Sequence, residues 1–205
     1  MREVAAIILA AGRSERMGVF KPLLPFGPTT VIQSCINYLL EASIESIVVV
    51  AGHKAEELTH ALVNEPVKIV VNPLPHSQMN SSIAYGTQSV PQDAQALLIA
   101  LADHPAITSP VIEQLILNWK AGALIAKPTW QGKGGHPVLV DLQFRAELTN
   151  LEPAAGLKGF FQIHHELVRR VPVASPYVAR DMDTWDDYLS LHMEVFGKRP
   201  AAAEG

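Results

Sequence analysis

One cysteine, Cys35, occurs in the 205 residues, so no disulfide can form within the chain and a reducing compartment, the cytoplasm, is the expected location. Cys35 sits in the apolar pattern VIQSCINYLL and reads as core filler. Long hydrophobic runs are also missing: none reaches the roughly 18 residues that a bilayer span needs, so no membrane partner is expected. The opening MREVAAIILAAG is short of a secretory leader, with Glu3 directly after Arg2, and reads as a buried first strand. Basic residues are the minority, 16 against 20 acids for a net charge of -4, which argues against wrapping a nucleic acid and confines any positive patch to a local segment. Aromatics make up 6% of the chain, and Trp119, Trp130 and Trp185 read as packing residues rather than a stacking platform. Four motifs are absent: G-x-G-x-x-G, G-K-[ST], H-E-x-x-H and G-x-S-x-G. A dinucleotide fold, a P-loop, a zinc hydrolase and a serine-hydrolase elbow therefore lack support. Neither an internal repeat nor a low-complexity linker interrupts the chain, so residues 1–196 are expected to form one domain and residues 197–205 a flexible tail.

What is present is a rhythm of short aliphatic runs and amphipathic stretches. Residues 4–9, 46–50, 67–71 and 97–101 are apolar throughout and suit parallel strands covered on both faces. Helical patterns separate them, the first opened by a capping-box pair, Thr30 and Gln33. Strand alternating with helix predicts an α/β fold, a mostly parallel, doubly wound sheet with helices on both faces. After Gly122 the order changes to strand, glycine turn, strand, helix (LKGFFQIHHEL) and strand (VRRVPV), a mixed C-terminal extension. In such a sheet ligands lie beyond the carboxyl ends of the strands, so the residues after each strand carry the functional reading.

The first of those loops lies in ILAAGRSERMGVFKPLLPFG. Gly12 and Gly18 remove bulk, while Arg13, Arg16 and Lys21 gather positive charge on a short segment, which suits an anion held against backbone; a triphosphate is the reading adopted. Asp103 ends the fourth strand in LLIALADHPAIT and could hold Mg²⁺, or simply start the turn before Pro105. Asp181, Asp183, Asp186 and Asp187 crowd before a helical pattern and would repel unless a cation or a helix start compensates; Asp183 could be a metal ligand or the helix cap. The D-x-D spacing is also that of haloacid-dehalogenase phosphatases, but no apolar strand precedes it here. In NPLPHSQMNSSIAYG, Ser81 and Ser82 could read a base, ribose or phosphate, or cap a helix. GKGGHPVLV is a glycine turn carrying Lys133 and His136, an entry for an acceptor substrate or a plain hairpin.

These segments, in this order, resemble the MobA-like NTP transferase family, and most of all its molybdenum cofactor cytidylyltransferases, whose L-A-A-G-x-S-x-R-M-G-x-x-K signature is matched by LAAGRSERMGVFK. The resemblance implies a Rossmann-like, glycosyltransferase-A type sheet. It implies a nucleotide site of Ala10, Ala11, Gly12, Arg13, Ser14, Gly18, Lys21 and Ser82, with Arg16, Lys21 and Asp103 catalytic. Asp103 and Asp183 would hold Mg²⁺, and Gly135 and His136 would meet the acceptor. The implied reaction moves NMP from an NTP to a phosphorylated acceptor with loss of pyrophosphate. Ala11 leans the base toward CTP, since guanylyl-transferring relatives read L-A-G-G. Molybdopterin is the implied acceptor and a molybdoenzyme or its chaperone the implied partner. Two other readings keep part of this: a nucleotidyltransferase acting on a sugar phosphate or methylerythritol phosphate, and an inactive nucleotide-binding partner of a molybdoenzyme. The chain departs from the family pattern at Ala102, at Gln78 and in GLKGFF, Gly156 to Phe161, where an acid and an arginine are expected.

Overall fold

The computed structural model describes residues 3–12, 17–74 and 79–200. Its central strand is β1 (Val4–Ala10), whose Ala5, Ala6, Ile7 and Ile8 are fully buried because the strand is covered on both faces. In chain order there follow the two-residue strands β2 (Pro25–Phe26) and β3 (Thr29–Thr30), then β4 (Ser46–Ala51), β5 (Lys68–Val71) and β6 (Ala96–Leu101). The extension adds β7 (Ile125–Trp130), β8 (Lys133–Gly134), β9 (Val138–Asp141) and β10 (Val168–Pro172). One eight-stranded sheet runs β10-β7-β9-β6-β1-β4-β5, with β8 paired to β7. All pairings of β1, β4, β5 and β6 with one another are parallel, as is β10 with β7; β9 is reversed between β6 and β7. The mostly parallel, doubly wound α/β fold expected from the rhythm of the sequence is thus the fold observed.

The helices are α1 (Val31–Glu41), α2 (Ala55–Ala61), α3 (Met79–Ser89), α4 (Ser109–Lys120), α5 (Arg145–Thr149), α6 (Gly156–Ile163) and α7 (Trp185–Phe196). The Thr30–Gln33 capping box forms: the Thr30 side chain accepts from the Gln33 N–H, and Gln33 Oε1 accepts from the Thr30 N–H. Ile32, Cys35, Ile36 and Leu39 of α1 pack with Val111, Ile112 and Leu115 of α4 on one face of the sheet. Ile83 of α3, Leu148 of α5 and Leu157 and Phe160 of α6 cover the other. Gly86 lets α3 lie close: a β-carbon there would stand 2.9 Å from Ile7 Cγ2 and 3.0 Å from Val50 Cγ2.

Two expectations need correction. The run at 67–71 forms the outer strand β5, and Lys68 and Val71 are exposed because no strand of the described residues lies beyond it. The other concerns the rival role of Asp183: the α7 cap is Thr184, which forms a capping box with Asp187, so Asp183 is not the cap.

The chain passes from β5 back across β1 to β6, which makes the gap between the carboxyl ends of β1 and β6 a topological switch point, the place where an open α/β sheet holds its ligand. Pairing of Leu9 with Val50 and with Leu101 aligns residues 10–12, 51–52 and 102–103 along that edge. Because β9 runs backwards, with Val138 opposite Ile99, the turn at residues 135–137 reaches the same edge. Finally, α7 clamps the segment after the first loop: Tyr188 and Leu191 pack with Met17, Leu24 and Phe26, and the Tyr188 hydroxyl donates to the Pro25 carbonyl at 2.6 Å. Burial of Tyr188 and Phe26 contributes on the order of 2 kcal/mol each. His192 Nε2 accepts the Gly27 N–H at 3.2 Å, and its Nδ1 lies 2.7 Å from the Lys198 carbonyl, just past Gly197, the left-handed cap of α7.

Candidate active site

The first loop leaves β1 through Ala10, Ala11 and Gly12. Ala11 presses against the end of β4: a β-carbon on Gly52 would come within 2.8 Å of the Ala11 carbonyl oxygen, so both backbones need Gly52 bare. Arg13, Ser14 and Arg16 lie outside the described residues, as do Gln78 and residues 201–205. On the far side of the loop Met17 and Phe20 are buried, and between them Gly18 has a φ of +67°, a backbone state that glycine adopts without strain. Trp185 at the start of α7 donates from Nε1 to the Met17 carbonyl at 3.2 Å. The loop's exit is thereby held at one end by core packing and at the other by α7.

That anchoring delivers Lys21, at the start of the single 3₁₀ turn Lys21–Leu23, into the cleft. Lys21 is only 8% exposed, and its Nζ lies 2.9 Å from Asp183 Oδ1. The cap geometry explains the pairing: with Thr184 closing α7, the preceding residue points back along the chain toward the first loop.

Asp103 stands just beyond β6. Burial pushes its carboxyl above the usual range, His104 and Lys21 pull it back, and the neighbouring Asp183 charge pushes it up again. The structure therefore brings Lys21, Asp103 and Asp183, far apart in sequence, into one electrostatic neighbourhood.

The Asp183 charge disfavours ionisation of Asp103, and Lys21 acts on both carboxylates. Such a donor set suits a hard divalent cation such as Mg²⁺, which is held through one or two carboxylates and completed by phosphate oxygens and water. Among the described residues no group of three or more His, Cys, Asp or Glu side chains converges as a protein-only metal cage. Ser82 is 3% exposed in the first turn of α3, where its Oγ, like that of Ser81, accepts from Asn72 Nδ2 at 3.0 Å. Asn72 thus ties the end of β5 to the start of α3.

On the other side of the switch point, Gly135 is held by packing. A β-carbon there would stand 1.7 Å from the Val178 carbonyl oxygen, and its N–H donates to Pro128. His136 donates its backbone N–H to Val178 at 2.8 Å. Burial, helped by the nearby His104 and Lys127, pulls the His136 imidazole down to about 4, so the ring is neutral at physiological pH.

Sequence reasoning missed three contributors. His104 is buried, with Nε2 3.9 Å from Asp103 Oδ1 and its ring centroid 5.8 Å from that of His136, and it links the two halves of the cleft. Lys127 projects from β7 beside Phe161, its Nζ 5.1 Å from the ring centre. Trp185 holds the first loop rather than merely packing. Only Lys127 left a trace in the sequence, as the one charge inside the apolar run ALIAKPTW.

The comparisons with known proteins identify the family and agree with the fold. The profile of the MobA-like NTP transferase domain matches residues 6–170. Nicotine blue oxidoreductase of Paenarthrobacter nicotinovorans is 26% identical over 197 residues, 92% of this chain and 96% of that one. Molybdenum cofactor cytidylyltransferase of Escherichia coli K12 is 25% identical, over 93% of this chain and 96% of that one. Among solved structures, Rv0371c of Mycobacterium tuberculosis H37Rv superposes with a TM-score of 0.82 at 27% identity, covering 94% of this chain and 97% of that one. The same mycobacterial protein is also known as a manganese complex, which superposes with a TM-score of 0.77 at 25% identity over 94% of this chain and 98% of that one.

Proposed function

The chain belongs to the MobA-like NTP transferase family and is a nucleotidyltransferase, acting on a nucleoside triphosphate and a phosphate-bearing acceptor; from that premise we propose that it transfers CMP from CTP to molybdopterin. The observation that carries the proposal is the meeting of Lys21 with Asp183 at 2.9 Å beside Asp103, at the switch point of the sheet. The likeness to the cytidylyltransferase of E. coli and Ala11 of the L-A-A-G run support the choice of CTP and of a molybdopterin-type acceptor. A single domain spanning residues 1–196, working in the cytoplasm with a molybdoenzyme or its chaperone, belongs to the same proposal.

An oxygen of the acceptor phosphate, already ionised at neutral pH, attacks the α-phosphorus of CTP. One P–O bond forms, the bond from the α-phosphorus to the bridging oxygen breaks, and pyrophosphate leaves with the electron pair. No side chain has to become a nucleophile, so catalysis reduces to alignment and charge neutralisation. Lys21 exchanges its Asp183 contact for phosphate oxygens and holds the charge that grows on the leaving pyrophosphate, a task shared with Arg16. Gly12, Arg13, Ser14 and Gly18 wrap the triphosphate, with Ala10 and Ala11 as its floor, and Ser82 steadies the α3 end of the nucleotide pocket. His136, neutral and next to Gly135, lines the acceptor side. Asp103 and Asp183 would hold Mg²⁺, which when bound offsets phosphate charge and polarises the α-phosphate; the manganese complex of the mycobacterial neighbour supports a divalent cation in this family.

The test is pyrophosphate release measured with molybdopterin and each of CTP, GTP, ATP and UTP in the presence of Mg²⁺. CTP is expected to be the preferred donor. Failure of every nucleotide, or electron transfer without pyrophosphate in keeping with the oxidoreductase relative, would overturn the proposal.

A further inference from the structure

Lys127 and Arg170 are side-by-side partners in the register of β7 and β10, so their side chains leave the same face of the sheet. Neighbours in adjacent strands approach within roughly 5 Å, and like charges placed there destabilise the pair. Among the described residues neither has a carboxylate at ion-pairing distance, whereas Lys21, Lys54 and Lys120 each have one. Lys127 is half-buried, and burial followed by the Arg170 charge lowers the pKa of its ammonium. The fold nevertheless guides this lysine carefully. Its Nζ lies 5.1 Å from the centre of the Phe161 ring on α6, a cation–π contact that leaves its N–H donors unspent. Gly134 clears its path: a β-carbon there would come within 2.8 Å of Lys127 Cε and 3.3 Å of Nζ.

The location is as informative as the charge. Gly134 is the last residue of β8, directly before Gly135 and His136, and Lys127 is close enough to lower the His136 pKa. From Lys21 and Asp183 a succession of neighbouring side chains runs through Asp103, His104 and His136 to Lys127 and Arg170. Two cations without an acid, beside an aromatic ring, make a site that an anion completes.

Resting on the proposed transferase reading, we infer that Lys127 and Arg170, floored by Gly134 and Phe161, bind the phosphate of the acceptor substrate and set its position opposite the nucleotide. The ligand class is a phosphate monoester dianion, and the flat Phe161 ring favours an acceptor that carries its phosphate next to a ring system. Lys127 and Arg170 are binding residues on this view, acting on the acceptor and not on the triphosphate.

The first test needs no knowledge of the acceptor. Acetylation of lysines in the full chain is followed residue by residue by mass spectrometry at rising inorganic phosphate, with Lys120, paired to Glu3, as the internal control. Saturating phosphate should slow acetylation of Lys127 by about fivefold or more and leave Lys120 unchanged, and Arg170→Ala should remove most of that protection. Equal protection of both lysines, or none at Lys127, would overturn the subsite. The second test is steady-state kinetics with molybdopterin and CTP. Lys127→Met, which keeps the apolar stem on Phe161, and Gly134→Ala, which keeps the charge but displaces it, should each raise the KM for molybdopterin by about tenfold. The KM for CTP should stay within about twofold in both. A shift in the CTP KM with none in the acceptor KM would overturn the assignment. Should the parent enzyme not use molybdopterin at all, the choice of acceptor falls, while protection of Lys127 by phosphate still decides the subsite.

Discussion

Under β1 and β6, Lys21 rests on an acid 162 residues further along the chain; under β7 and β10, Lys127 lies beside an arginine and meets no acid among the described residues. The first lysine is oriented by a carboxylate, which the proposed nucleotide would displace or share. The second is left electrostatically unsatisfied, so an arriving anion relieves repulsion instead of competing with a partner. On the proposed reading, one protein thus uses two ways of preparing a cation for phosphate. Pairing orients the side chain and lowers the cost of an empty site, whereas lack of a partner accepts some instability in exchange for ligand affinity.

The contrast can be broken most forcefully at Asp103. Asp103→Asn should slow turnover by on the order of a thousandfold. Because burial and Asp183 disfavour its charged form, the same change should raise the melting temperature of the ligand-free protein. A variant that is both slow and less stable would show that Asp103 serves the fold rather than the nucleotide. Gly135→Ala probes the rigidity of the half proposed to meet the acceptor: its methyl would collide with the Val178 carbonyl, and urea unfolding should show a loss of about 3 kcal/mol or more. Lys21→Ala should raise the barrier by on the order of 3 kcal/mol, roughly a hundredfold in pyrophosphate release. Equal turnover by that variant would remove Lys21 from the chemistry.

A subtler difference concerns pH. His136 titrates near 4 when folded and near its ordinary value when unfolded, so the unfolded state binds the extra proton between those limits. The stability that this neutral imidazole contributes is present above about pH 6.5 and is lost as pH falls toward 4, on the order of 3 kcal/mol in all. His136→Gln should flatten the stability profile over that window in urea titrations; an unchanged slope would mean that other groups dominate. The smallest effect is expected at the α7 cap, where Thr184→Ala should cost about 1 kcal/mol in the same measurement.

Much of the nucleotide half was legible in the sequence because its signals are local. The aliphatic runs of β1, β4 and β6 are continuous, so burial on both faces follows directly. Asp183 was harder to read: a cap role and a cleft role look alike until Thr184 and Asp187 are seen to close the helix themselves. The exposure of β5 could not be read from its aliphatic residues, since whether a strand is central or at an edge depends on strand order. The acceptor half was nearly silent. Lys127 meets Arg170 only through the register of β10 on β7, and Gly135 is required by a backbone turn at residues 176–179 that no local motif predicts.

The central claim is that Asp103 and Asp183 act on one and the same metal-bound nucleotide. Calorimetric titration of CTP, with and without Mg²⁺, into the parent, Asp103→Asn, Asp183→Asn and the double variant tests this most directly. If both acids serve one ion, each single substitution removes most of the Mg²⁺-dependent affinity and the double variant loses little more. Independent, additive losses, or a Mg²⁺ dependence that survives either substitution, would contradict it.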